Sequence, residues 1–304
     1  MSTPASHGPS TPGERTAPAG PRFPEGLRFS KGHGTRNDFV LLDDPDGAID
    51  LDAAAVAALA DRRSGVGGDG VIRAVRTRAA GIDAPADAPE WFMDYRNADG
   101  SIAEMCGNGV RVIAAFLRRE GHVGEDRFPL WTRAGVRTVE VLADPTAEDP
   151  AWRVRVGMGE AGISRTGRTV HVEGHDLEVT DVDMGNPHAV AFLPEGVTLE
   201  DLDLTHRPDL SPEPEHGANI ELVVTRGERH VAMRVHERGV GETESCGTGV
   251  AATAVAAALR AGDDSRLPWR VDVPGGTLEV GWTAQGEVTL AGAAEIVADG
   301  TLLL

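Results

Sequence analysis

The chain holds two cysteines in 304 residues, and each opens the same pattern. Cys106-Gly-Asn-Gly-Val110 is matched by Cys246-Gly-Thr-Gly-Val250. An apolar, alanine-rich run follows each one, and both runs read as helices. Arg118, Arg119 and Gly121 close the first; Arg260 and Gly262 close the second. Each cysteine therefore sits at a glycine-rich helix N-terminus, where free N–H groups and the helix dipole favour a thiolate and bind anions. Two such sulfurs facing one another could invert a stereocentre. One thiolate takes a proton from one face of a carbon, and the opposing thiol delivers a proton to the other. The α-hydrogen of an amino acid is weakly acidic, so its carbanion needs a dry site and fixed dipoles aimed at the carboxylate. The backbone N–H groups of Gly107, Asn108, Gly247 and Thr248 supply them. The same dipoles are expected to lower the cysteine pKa values. Neither pyridoxal phosphate nor a metal is required.

Other chemistries fit the residues less well. A single free cysteine is most often a small buried hydrophobe, but two in matching glycine contexts are not explained that way. A zinc site built from Cys106, Cys246 and His188 would lack any Cys-x-x-Cys ligand pair. The loop at residues 65–70 is glycine-rich like a phosphate cradle. It has neither the Lys-Ser/Thr ending of a P-loop nor the spacing of a dinucleotide fingerprint, so it reads as a turn.

The elements that must position the cysteines can be read in chain order. Residues 1–24 are rich in Pro, Ser, Thr, Gly and Ala and are expected to be a disordered tail. Residues 32–38 read as a turn feeding a strand at 39–42, and Asp50 as the cap of a helix ending at Ala60. Strands at 71–75 and 91–95 follow, and the turn Asn97-Ala-Asp-Gly100 leads to the first cysteine helix. Strands at 137–142 and 152–156 flank a polar, proline-bearing stretch at 144–150, the candidate domain boundary. Beyond it come strands at 169–172, 177–180, 189–192, 219–224 and 231–236. The second cysteine helix, a hairpin around Pro274-Gly-Gly276 and further strands complete the chain. An Asn-led strand precedes each cysteine helix: Asn37 by 69 residues (106 minus 37) and Asn186 by 60 (246 minus 186). Internal duplication is the simplest account. It predicts an α+β fold of two pseudo-symmetric lobes, each a curved, mostly antiparallel sheet around a central helix, with the active site in the cleft between them.

With 29 basic and 48 acidic side chains the net charge is -19, which argues against nucleic acid and anionic membrane surfaces as partners. Two cysteines make no secreted disulfide framework, and no apolar run approaches the roughly 20 residues of a membrane span. A cytoplasmic protein with reduced thiols is expected.

Five motifs together carry a resemblance. Lys31-x-His-Gly-x-x-Asn-Asp-Phe39, Asn97-Ala-Asp-Gly100, Glu104-Met-Cys-Gly-Asn-Gly109, Met184-Gly-Asn-Pro-His188 and Glu237-Arg-Gly-Val-Gly-Glu-Thr243 with Cys246-Gly-Thr-Gly249 resemble the diaminopimelate epimerase family, from about residue 27 to the C-terminus. Cys-Gly-Thr-Gly alone is shared with proline racemases and hydroxyproline epimerases, which are the alternative reading. The resemblance implies a cofactor-free isomerase that converts LL-2,6-diaminopimelate to the meso form on the route to lysine and peptidoglycan. It implies Cys106 and Cys246 as the acid/base pair, named proton donor and acceptor respectively for the LL-substrate. Asn37, Asn97, Asn186, Asn219, Glu237 and Arg238 would bind the substrate's amino and carboxylate groups, and His188 and Glu237 would tune the cysteines. The polar stretch at 144–150 sets the expected lobes at residues 25–146 and 147–291, and the resemblance implies that residues from about 292 to 304 return to the first. Family members commonly dimerise, although the sequence carries no signal of its own for a homodimer. Three positions depart from the family pattern: Gly70, where some members have a substrate-touching glutamine, His236, and Arg36 beside Asn37.

Overall fold

The structure is a computed structural model that describes residues 23–24 and 26–303. The expected tail at residues 1–24 lies outside the described residues except for Phe23 and Pro24. The first lobe opens with the hairpin β1 (Arg28–Gly34) and β2 (Asn37–Asp43). Then come helix α1 (Ala53–Ala60) and strands β3 (Gly70–Arg76) and β4 (Trp91–Asn97). Helix α2 (Gly107–Arg119) is followed by β5 (Arg127–Thr132), β6 (Gly135–Ala143) and β7 (Trp152–Gly159). β2 runs apolar without alternation because both of its faces are covered. Phe39 and Leu41 join the core around α2, while Val40 and Leu42 join the layer under α1.

The second lobe begins with the short β8 (Gly162–Ser164) and β9 (Thr169–Val172), then β10 (His175–Asp183) and β11 (Pro187–Phe192). β12 (Asp209–Ser211), β13 (Asn219–Gly227), β14 (His230–Glu237) and β15 (Gly241–Thr243) lead to helix α3 (Gly247–Ala261). β16 (Trp269–Val273), β17 (Gly276–Trp282) and the 14-residue β18 (Val288–Thr301) follow.

The duplication is written in the pairing. In the first lobe β1–β2 is antiparallel, β2–β3 parallel, β3–β4 antiparallel, β4–β5 parallel, and β5–β6 and β6–β7 antiparallel. The second lobe repeats that order through β10–β11, β11–β13, β13–β14, β14–β16, β16–β17 and β17–β18. α2 packs against β1–β4, β6, β7 and β18, and α3 against β10, β11, β13, β14 and β16–β18. Both helices are wrapped, so their apolar surface runs nearly all round: every residue of α2 from Gly107 to Leu117 is buried. Burial of each large side chain there, such as Ile113 or Leu117, contributes about 1.5–3 kcal/mol.

Several expectations are corrected. The helix start belongs to Asp52 rather than Asp50: the Asp52 side chain accepts from the Ala55 N–H at 2.7 Å, and Leu51 is buried before it. The turn read at 32–38 is only Thr35–Arg36, because β1 extends to Gly34 and Gly34 pairs with Asn37. β5 went unread because Pro129 interrupts it. That proline is exposed, while its neighbours Phe128 and Leu130 alternate into the core. The polar stretch at 144–150 joins β6 to β7, which pair with each other and both pack on α2. We therefore propose that the passage between lobes lies after Gly159 rather than at residue 146. β18 runs along both lobes: Val288–Ala291 pair with β17, Val288–Ala294 with β7, and Glu295–Thr301 with β1.

Candidate active site

The pairing gathers the polar residues at one end of each sheet. Gly70 opens β3 opposite Asn97, the last residue of β4, while Asn37 opens β2 alongside. In the second lobe His188 pairs with Asn219, the first residue of β13, and Glu237 ends β14 next to His236, the partner of Ile220. The chain leaves these strand ends and enters the two helices, each with a cysteine as N-cap.

The two helix starts touch. A Cβ built on Gly247 would lie 3.3 Å from the Gly107 Cα and 3.4 Å from the Asn108 side-chain oxygen, so the close approach requires glycine. Cys106 is half-buried and Cys246 buried; both are free thiols. The Gly109 N–H donates to the Cys106 sulfur at 3.5 Å, and the Cys106 thiol donates to Asn37 Oδ1 at 3.4 Å. Cys246 Sγ lies 3.5 Å from the Thr248 hydroxyl.

The electrostatics differ from the expectation that helix dipoles hold both thiols low. Burial pushes Cys106 up against its bonds from Gly109 and Asn108. Burial, followed by the Glu237 and Glu221 carboxylates, pushes Cys246 well above the ordinary thiol range. At both cysteines desolvation outweighs the dipole. Neutral thiols dominate, and the thiolate that does form is a correspondingly stronger base.

Most of the residues picked from sequence line this junction. Asn37 Oδ1 accepts from Asn108 Nδ2 at 3.3 Å as well as from Cys106, and Asn37 Nδ2 donates to Asp69 at 2.8 Å. Asn186 Oδ1 lies 3.1 Å from His188 Nε2, and Asn219 Oδ1 accepts the Arg238 backbone N–H at 2.9 Å. Burial raises the Glu237 carboxyl, which accepts from Thr243, with the Cys246 thiol beside it. Asn97 is bonded only within its own turn, to Ser101 Oγ at 3.0 Å, and Arg238 Nη1 is held by the His216 carbonyl at 2.6 Å. Neither side chain reaches a cysteine through these bonds.

Sequence reasoning passed over Glu221, Asp69, Ser245 and Arg111. Glu221 is fully buried and binds His188 Nδ1 at 2.6 Å. Its second oxygen has no partner among the described residues. Its place two residues after Asn219, on the inward face of a strand, was the available signal. The three departures have structural accounts. A Cβ on Gly70 would lie 2.4 Å from the Arg96 carbonyl, so a longer side chain does not fit without backbone movement. His236 is buried, and burial lowers its pKa; it is a neutral wall residue. Arg36 and Thr35 both take positive φ (61° and 51°), forming the tight two-residue turn that presents Asn37. Among the described residues no group of three or more His, Cys, Asp or Glu side chains is arranged to hold a metal ion.

Two lobes, each a sheet wrapped around a central helix, define a fold seen in solved structures. A PhzF-family phenazine biosynthesis protein from Bacillus anthracis superposes with a TM-score of 0.66 at 14% identity, covering 92% of this chain and all of that one. A hydroxyproline epimerase from Agrobacterium vitis gives 0.62 at 12% identity, covering 92% of each chain. At such identities the likeness is one of fold. Sequence narrows it further. The profile described as diaminopimelate epimerase matches residues 29–163 and 180–297. The diaminopimelate epimerase of Streptomyces coelicolor is 49% identical over 291 residues, covering 90% of this chain and 94% of its own. That of Thermobifida fusca is 47% identical over 284 residues, covering 91% and 98%. The chain belongs to the diaminopimelate epimerase family.

Proposed function

We propose that this protein interconverts LL- and meso-2,6-diaminopimelate by proton exchange at one α-carbon, with Cys106 and Cys246 as the two acid/base groups. The observation that carries the reading is the abutment of two cysteine-capped helix starts, one from each lobe. One sulfur, as thiolate, removes the α-hydrogen and becomes a thiol. The other, as thiol, protonates the opposite face and becomes the thiolate. The net charge of the pair is unchanged and the roles are reversed for the return reaction. Backbone N–H groups at Gly107, Asn108, Gly247 and Thr248 would take the reacting carboxylate, where negative charge grows as the carbanion forms. The distal amino and carboxylate groups would meet Asn37, Asn97, Asn186, Asn219, Glu237 and Arg238, whose mixed donors and acceptors match a doubly zwitterionic substrate. His188, clamped between Glu221 and Asn186, and Glu237 beside Cys246 would set the local field.

The reading needs no cofactor and no nucleic-acid or membrane partner. Among the described residues no helix is long and apolar enough to cross a membrane. A cytoplasmic location and a homodimer complete the proposal, the latter to be read by light scattering. The decisive experiment incubates reduced protein with LL-diaminopimelate in heavy water containing EDTA and follows meso product and α-deuterium by mass spectrometry. Meso product carrying deuterium supports the reading. Folded protein with two free thiols that yields neither overturns it and directs the same assay to proline and hydroxyproline.

A further inference from the structure

The largest fully buried side chain among the described residues is a cation. Arg111, one turn into α2, has no measurable exposure. Among the described residues it forms no ion pair. Its guanidinium meets four neutral oxygens: Asn108 Oδ1 at 3.0 Å, Thr35 Oγ1 at 3.2 Å, the Gly107 carbonyl at 3.4 Å and the Ala293 carbonyl at 3.5 Å. Glycines at 34 and 292 leave room for it: a Cβ there would stand 3.1 Å and 3.5 Å from its nitrogens. A buried charge without a counter-charge is costly to the fold, and packing alone would favour an apolar residue of similar size.

Its neighbours indicate what the charge does. By fixing Asn108 Oδ1, Arg111 turns the Asn108 amide so that Nδ2 donates to Asn37 Oδ1 at 3.3 Å, the Ser245 carbonyl at 3.1 Å and Ser245 Oγ at 3.3 Å. Asn37 is the acceptor of the Cys106 thiol, and Ser245 immediately precedes Cys246. By holding Thr35 Oγ1, which also contacts Ser245 Oγ at 2.7 Å, Arg111 secures a β-branched residue at φ 51° in the turn that presents Asn37. One guanidinium thus ties together both helix starts and the strained turn.

The two cysteines face different charges. Around Cys106 stand the Arg111 cation, the Tyr95 phenol and the Glu237 carboxyl. Around Cys246 stand Glu237 and Glu221, the latter paired with His188. Burial lowers Arg111 to about 10, so it remains charged at neutral pH, and Cys106 is the ionisable group that opposes this shift.

We propose that Arg111 is a positioning residue that holds a permanent positive charge behind Cys106. It makes Cys106 the sulfur that ionises first, the one that carries the charge in the active, substrate-free form, and fixes Asn37 and Asn108 against it. The inference deepens the two-thiol reading and rests on it only for its catalytic meaning. With Cys106 charged and Cys246 protonated, the substrate epimer whose α-hydrogen faces Cys106 meets a ready base. The other epimer must wait for a proton to pass between the sulfurs.

The test is the pH dependence of alkylation by iodoacetamide, a neutral reagent, on the full reduced chain without substrate. Each cysteine peptide is resolved by mass spectrometry. In the unaltered protein the Cys106 midpoint should lie below that of Cys246, an order that can be read whether or not any variant folds. In Arg111→Met the Cys106 midpoint should rise by about one pH unit, about tenfold less thiolate at a given pH, with a smaller change at Cys246. Arg111→Lys, which keeps the charge, should restore most of the difference. Cys246 ionising first, an unmoved Cys106 midpoint in folded Arg111→Met, or a Lys variant as displaced as the Met variant would each overturn the proposal. Because no turnover is measured, a failed deuterium assay would leave this result standing, and the converse also holds.

Discussion

At the scale of single residues, the chemistry depends on how burial competes with local dipoles. Both cysteines are helix N-caps, yet burial holds both thiols above their ordinary range, most strongly at Cys246 where carboxylates add to it. The active base is the deprotonated form, so a raised pKa means that little thiolate is present at neutral pH. The sign follows directly: log kcat/KM should climb with pH through the neutral region with a slope of about one and level off only in the alkaline range. A flat profile at neutral pH, from steady-state assays in both directions, would show that the substrate-free thiols are already ionised. On the proposed two-thiol mechanism, replacing either cysteine by alanine removes one face of the exchange. Cys106→Ala and Cys246→Ala should each lower kcat for epimerisation about 10²–10⁴-fold, the usual worth of a positioned acid or base. A variant keeping Cys106 should still remove a proton from its own face. α-Deuterium exchange without inversion would report that.

At the scale of elements, two features position these residues. The first is glycine at the helix starts. Gly247→Ala would put a methyl group 3.3 Å from the Gly107 Cα, in a contact with backbone that can only part by a few tenths of an ångström. We expect about a tenfold loss in kcat/KM from the altered spacing, with folding weakened by about 1–3 kcal/mol; denaturation midpoints and kinetics measured together separate the two. The second is the polar knot in the middle of β4. Asp94 is 1% exposed and contacts three arginines: Arg73 at 2.8 Å, Arg96 at 3.1 Å and Arg133. Burial opposes ionisation of Asp94, but those arginines outweigh it and hold the carboxyl below its ordinary value. A depressed pKa contributes stability that is complete above the unfolded value and is lost as pH falls through the folded one. Asp94→Asn removes the carboxylate shared by three arginines, of which Arg73 keeps Asp44 at 3.3 Å, and should cost about 1–3 kcal/mol. It should also flatten the acid-side fall in urea midpoint expected for the unaltered protein.

At the scale of the whole molecule, β18 decides whether the lobes are separable. It borders β17 on one side and β7 and then β1 on the other, and one hydrophobic cluster runs from Phe39 in the first lobe to Val250 and Leu290 at the second. The lobes should therefore unfold in one transition by calorimetry. Ending the chain before Val288 should abolish folding of both rather than free one. Two resolved transitions, or a truncated chain with native-like spectra, would show that the lobes are independent. LL-diaminopimelate bound between the lobes should raise the single Tm, by about 2.7 kcal/mol of stabilisation at a hundredfold excess over Kd.

What the sequence determined by itself was local and repetitive. Glycine-flanked cysteines before alanine-rich runs specify helix starts. The asparagine- and proline-bearing motifs specify turns at strand ends, and the repeat of one pattern specifies two lobes. Those features depend on short-range backbone chemistry, which a linear reading contains. Tertiary structure decided the rest. The place of β7 is set by pairing with β6 and β18, contacts between distant residues that no local pattern encodes. The same holds for Arg111 and Glu221. On paper they are ordinary charged residues of a helix and a strand. Packing removes them from water and sets the first behind Cys106 and the second toward Cys246. Even the upward direction of the cysteine shifts came from burial, because a helix dipole is fixed by a few consecutive residues while desolvation is set by everything folded around them.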